Sequence, residues 1–119
     1  MDRKKAYQLL GILPGDSLEK AKALFARSIR IGGEPCKAYN GLGLVFFLQG
    51  SYRKAKEVFL QGIKSCPEYA PLKYNLSCVC CKMEDFQDAR KYLKQAIAID
   101  PLYREKSRTD PDLAELYRH

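Results

Sequence analysis

Two stretches decide the fold: AYNGLGLVFFLQGSYRKAKEVFLQGIKSCPEY at 38–69 and LKYNLSCVCCKMEDFQDARKYLKQAIAIDPLY at 72–103. Shifted by 34 residues, one lies on the other. Leu42 meets Leu76, Val45 meets Val79, Ala55 meets Ala89 and Gln61 meets Gln95. Ile63 meets Ile97, Pro67 meets Pro101 and Tyr69 meets Tyr103. Tyr52 over Phe86, Phe59 over Leu93 and Gly62 over Ala96 are conservative replacements. Within each stretch, 36–49, 52–65, 70–83 and 86–99 carry apolar residues at helical spacing. Gln49-Gly50-Ser51 and Glu84-Asp85 break the pairs. Each unit is therefore a helical hairpin. Gly62 sits inside a helix, where glycine costs about 1 kcal/mol relative to alanine. Close contact with a neighbouring helix is the expected compensation.

A period of 34 with this pattern resembles the tetratricopeptide repeat. In 36–69 the likeness rests on Tyr39, Leu42, Gly43, Phe46, Tyr52, Ala55, Phe59, Gly62 and Pro67. In 70–103 it rests on Tyr74, Leu76, Ser77, Ala89, Tyr92, Leu93, Ala96 and Pro101, with Phe86 opening the second helix. The resemblance implies an all-α fold, a right-handed α-solenoid of antiparallel helix hairpins. Small residues let helices approach, large ones fill the space between, and the prolines stop one hairpin before the next begins.

The flanks extend this plan to one domain over 1–119. Ala21, Phe25 and Ile29 precede Ala55, Phe59 and Ile63 by 34, so 17–31 reads as the second helix of a repeat. Tyr7, Leu10 and Gly11 match Tyr39, Leu42 and Gly43 only at a spacing of 32, and Pro14-Gly15 ends that helix early. Residues 3–34 thus form a degenerate first repeat, before 36–69 and 70–103. The stretch YQLLGILPGDSLEKAKALFARSIR also resembles the first two helices of a J-domain. A J-domain needs a His-Pro-Asp turn, and here Gly32-Gly33-Glu34-Pro35 follows; that activity is excluded. After Pro101, 104–119 reads as a capping helix, started by Asp110-Pro111-Asp112 and apolar at Leu113, Leu116 and Tyr117.

The chemistry is bounded by what is missing. The lone His119 is terminal, and no nucleophile–base pair, metal-ligand spacing or phosphate-binding loop stands out. We expect no enzyme, no cofactor and no metal. The cysteines at 36, 66, 78, 80 and 81 are odd in number and irregular in spacing. With no signal-peptide pattern and no apolar run of about 20 residues, the expected setting is the cytoplasm, without membrane insertion. The cysteines are then expected to be reduced and packed as small apolar groups. Cys80 takes the register place of Phe46, a core position.

The net charge is +7, distributed as +3, +3, +1 and 0 over 1–35, 36–69, 70–101 and 102–119. It favours an acidic partner. It is weak grounds for nucleic acid, because no aromatic-and-basic platform accompanies it.

The resemblance implies a partner-binding groove lined by the first helix of each hairpin. By register it takes Lys37, Asn40, Gly41, Leu44 and Phe47 from one hairpin. The next supplies Pro71, Tyr74, Asn75, Cys78 and Cys81, and Gln8 and Ile12 come from the degenerate repeat. Asn40 and Asn75 are placed to clamp a peptide backbone, and Leu44, Phe47 and Tyr74 to take apolar side chains. Some relatives grip chaperone C-terminal carboxylates with lysine, asparagine and arginine. Gly41, Asn75 and Pro71 depart from that set. The expected function is a protein- or peptide-binding adaptor. The alternatives are a homo-oligomer whose groove is filled by a second copy, and a nucleic-acid accessory protein.

Overall fold

A computed structural model describes residues 17–118. The helices are α1 (Leu18–Ile31), α2 (Pro35–Leu48), α3 (Tyr52–Ser65), α4 (Ala70–Lys82), α5 (Phe86–Ile99) and α6 (Tyr103–Thr109). A 3-10 helix, Pro111–Tyr117, follows. The readings at Tyr7, Gln8, Leu10, Gly11, Ile12 and Pro14-Gly15 lie outside the described residues.

Each helix has a local cause. Ser17 caps α1 by accepting from the Glu19 N–H at 3.1 Å. Gly32, at φ +76°, closes it in the left-handed conformation. Pro35 opens α2 and Pro71 lies in the first turn of α4, where a missing N–H costs nothing. Asp85 caps α5 by accepting from the Asp88 N–H at 3.2 Å. The two hairpin breaks have the same backbone: Gly50 at φ +76° and Glu84, one period later, at φ +60°.

Consecutive helices pack on one another, and α2 also touches α4. This is the all-helical solenoid plan expected from the repeat. The glycines inside helices mark the closest approaches. A Cβ on Gly62 would stand 2.8 Å from Leu72 Cδ2 and from Tyr39 Cβ, so α3 needs a hydrogen there. A Cβ on Gly43 would drive into the Phe59 ring. Val45, Ala55, Phe59, Leu72, Leu76, Val79, Ala89 and Ala96 are fully buried within and between the hairpins.

Helix α4 is buried on nearly every side, from Ala70 to Cys81. It is held between α3 and α5, and the 3-10 helix closes it from above. The capping segment therefore does its work, but as a short α-helix plus a 3-10 turn instead of one α-helix. Asp110 accepts from the Asp112 N–H at 3.0 Å, as the cap reading requires. Leu113 and Leu116 are buried, and Tyr117 is half exposed.

One expectation about the cysteines is corrected. Cys36, in the first turn of α2, is disulfide-bonded to Cys66, the C-cap of α3, with Cα atoms 5.8 Å apart. Their sequence separation of 30 shows no motif. The antiparallel hairpin supplies the proximity by setting the start of α2 beside the end of α3. The other three cysteines are free and buried, and Cys80 is a core residue as the register requires. A disulfide is at home in an oxidising compartment. No helix among the described residues is long and apolar enough to cross a membrane.

Candidate functional site

The inner faces of α2 and α4 enclose a cavity of about 490 Å³. Lys37, Asn40, Gly41 and Leu44 come to it together because positions i, i+3, i+4 and i+7 share one helix face. Pro71, Tyr74 and Asn75 form the facing wall. Phe25 enters from α1, with Tyr103 and Lys106 from α6. Gly41 is small for a reason: a Cβ there would lie 2.5 Å from the Phe25 ring.

The polar centre of the cavity is a pair of amides. Asn75 Nδ2 donates to Asn40 Oδ1 at 2.8 Å. This uses one donor and one acceptor. The amide nitrogen of Asn40 and the carbonyl of Asn75 make no other bond among the described residues. Together they offer one donor side and one acceptor side.

The aromatic wall is a stacked pair. Tyr74 and Tyr103 stack with centroids 4.5 Å apart and planes 21° from parallel. Lys106 Nζ lies 5.2 Å from the Tyr74 centroid and 5.4 Å from that of Tyr103. Tyr74 Oη donates to Asp110 Oδ2 at 2.6 Å. Burial first, and this bond second, hold the Tyr74 phenol well above its ordinary range. The Tyr103 phenol is raised by burial and then by Asp100. Both rings are neutral supports for a charged Lys106. At the rim, Lys37 and Glu34 form an exposed pair at 3.8 Å, which adds little energy.

Seven of the sequence-selected residues thus come together: Lys37, Asn40, Gly41, Leu44, Pro71, Tyr74 and Asn75. Phe47, Cys78 and Cys81 do not. Phe47 is 8% exposed and packs on Tyr52 with ring centroids 5.5 Å apart. Cys78 and Cys81, at 1% and 7% exposure, lie in the core with Leu113 and Leu116 of the 3-10 helix. The physical reason is the capping segment, which folds down on that end of α4. Tyr103 and Lys106 were missed because they belong to this same segment. Tyr103 carried a signal, since it repeats Tyr69 at one period, and Tyr69 also lines the cavity.

Cys78, Asp110 and Asp112 bring one donor atom each within 4.8 Å of one another. Part of this donor set is engaged within the fold, while Asp112 Oδ2 is buried with no hydrogen-bond partner among the described residues. Asp110 accepts from the Tyr74 hydroxyl and the Asp112 N–H, while Asp112 Oδ1 pairs with Lys82 Nζ at 3.3 Å. Burial, then the charge of Asp110, push the Cys78 thiol up. The cluster is the joint that fastens the capping segment to α4.

Comparison with known families matches tetratricopeptide repeat models to residues 37–69 and 70–103 in tandem. With its paired helices, the chain belongs to the tetratricopeptide repeat family. A search of curated proteins finds no significant match. The repeats of this family are generally protein–protein interaction modules.

Proposed function

We propose that this chain is a non-catalytic adaptor that holds a segment of a partner protein in the cavity between α2 and α4. The observation that carries the reading is the Asn40–Asn75 pair, which leaves a donor and an acceptor side by side on facing helices. A peptide group presents the complementary acceptor and donor. Lys106, fixed over two tyrosine rings and outside any ion pair among the described residues, suits an acidic side chain or a terminal carboxylate. Leu44 and Phe25 give an apolar floor. The charge of +7 would speed encounter with an acidic partner.

The test uses the purified protein as bait in an extract of its own source, against the variant Asn40→Ala/Lys106→Ala. Both positions are partly exposed, and folding is checked by circular dichroism. A protein held by the wild type and lost by the folded variant supports the adaptor. Equal retention, or no retention by either, defeats it. Recovery chiefly of a second copy, or of nuclease-sensitive nucleic acid, transfers support to the corresponding alternative.

A further inference from the structure

A second cavity, of about 580 Å³, opens at the far end of the stack, on the face of α5 turned away from α4. The repeat explains why it is there. Ala96 and Ile97 of α5 take the register places of Gly62 and Ile63 of α3. On α3 that face is covered by the 13-residue α4, with Leu72 seated at Gly62. On α5 the following helix has only 7 residues and ends at Thr109. The chain then turns back toward α4 as the 3-10 helix. Ile97 is left partly exposed with Ala98 exposed beside it, Tyr117 forms one wall, and the buried Leu93 and Leu116 lie at the base.

The rim is one-signed. Arg90, Lys94 and Arg104 line the cavity, and among the described residues no carboxylate does. None of the three makes an ion pair among the described residues. Arg90 and Lys94 stand four apart on α5, a like-charge spacing that costs helix stability unless an anion is supplied.

We propose that this end face docks an acidic amphipathic helix of a partner protein, its apolar stripe on Ile97, Ala98 and Tyr117 and its carboxylates on Arg90, Lys94 and Arg104. A helix is the fitting occupant, because the equivalent face one repeat earlier carries one. The cationic rim selects an acidic sequence and opposes a second copy of a chain whose net charge is +7.

The probe is a synthetic amphipathic helix with leucines at i, i+3, i+4 and i+7 and glutamates beside them. Its control carries lysines in place of the glutamates. Binding is read by fluorescence anisotropy at low and moderate salt. The wild type is expected to bind the glutamate peptide about tenfold or more tightly than the lysine peptide, with the difference shrinking as salt rises. Ala98→Glu and Arg90→Glu/Lys94→Glu, all at exposed positions, should each weaken binding by about tenfold or more. Asn40→Ala/Lys106→Ala should leave it unchanged, which separates this site from the cavity between α2 and α4. Equal affinity for the two peptides, absence of binding, or indifference to Ala98→Glu would overturn the proposal. So would loss of binding in the Asn40 and Lys106 variant. Sedimentation showing a dimer that Ala98→Glu dissolves would give the face to self-association and also overturn it.

Discussion

The Tyr74 hydroxyl donates a 2.6 Å hydrogen bond to Asp110 Oδ2 across 36 residues of sequence. It ties the wall of the inner cavity to the segment that caps the stack. Asp110 also caps the 3-10 helix through the Asp112 N–H, so one carboxylate fastens two elements. Tyr74→Phe removes only the bond and should cost about 1–3 kcal/mol. Asp110→Ala also removes the cap, adding about 1 kcal/mol. Urea denaturation should place the midpoints in the order wild type, Tyr74→Phe, Asp110→Ala. Equal midpoints for the two variants would show that the cap contributes nothing.

Gly43 and Ser77 occupy the same place in successive repeats, as do Phe59 and Leu93. A Cβ on Gly43 would come 2.6 Å from Phe59 Cζ, and that ring is fully buried. In the next repeat the smaller Leu93 leaves room for Ser77, whose Oγ donates to the Ala89 carbonyl at 2.8 Å. Alanine improves helix propensity by about 0.5–1 kcal/mol over glycine, but overpacking costs about 1–3 kcal/mol, so the clash wins. Gly43→Ala should therefore lower the thermal midpoint. Gly43→Ser/Phe59→Leu should be more stable than Gly43→Ser alone. A double variant no better than the single would break the proposed pairing.

Glu84 holds φ +60° where its counterpart Gly50 holds +76°. A left-handed backbone costs a non-glycine residue about 1–2 kcal/mol. Glu84 is exposed. Glu84→Gly should raise the thermal midpoint by about 3–6 °C in a chain of this size. An unchanged or lower midpoint would mean that the flexibility gained by the unfolded chain outweighs the strain relieved.

These pairings show what the residues announced and what they did not. The period of 34 brought out the helices, their breaks and the burial of Val45, Ala55, Val79 and Ala89, because helix spacing is a local property. It also placed Lys37, Asn40, Gly41, Leu44, Tyr74 and Asn75 on one surface. It failed where the repeat ends. Tyr103 and Lys106 enter the cavity, and Cys78 and Cys81 leave the surface, because the capping segment folds back onto α4. That return has no repeat partner to predict it. The Cys36–Cys66 bridge was hidden for a related reason: it depends on the ends of an antiparallel hairpin and has no spacing motif.

The buried thiols make stability fall in alkali. Burial is the leading cause that raises the thiols of Cys78, Cys80 and Cys81, with Cys80 pushed up to about 11. In the unfolded chain they ionise near the ordinary value of 9.0. The folded state therefore holds protons that the unfolded state releases, and stability is full below about pH 9 and lost as pH rises through the folded values. The urea midpoint should drop between about pH 7.5 and about pH 10. In Cys78→Ala/Cys80→Ala the drop should be smaller. An identical drop in that variant would assign the effect to other groups, such as Tyr74.

The Cys36–Cys66 bridge closes a hairpin across a separation of 30 residues. Loop-closure entropy for that length amounts to about 3–4 kcal/mol, an upper figure because hairpin structure retained by the reduced chain lessens it. Two measurements bear on it. Alkylation in denaturant without reductant should label the three free cysteines, 78, 80 and 81, and all five after reduction. Cys36→Ser/Cys66→Ser should melt lower than the wild type, and added reductant should lower the wild type alone. Labelling of all five without reductant would dispose of the bridge. A full bridge with no difference in melting would mean that the hairpin is already closed by Gly62 against Tyr39, and that the cross-link constrains little in the unfolded chain.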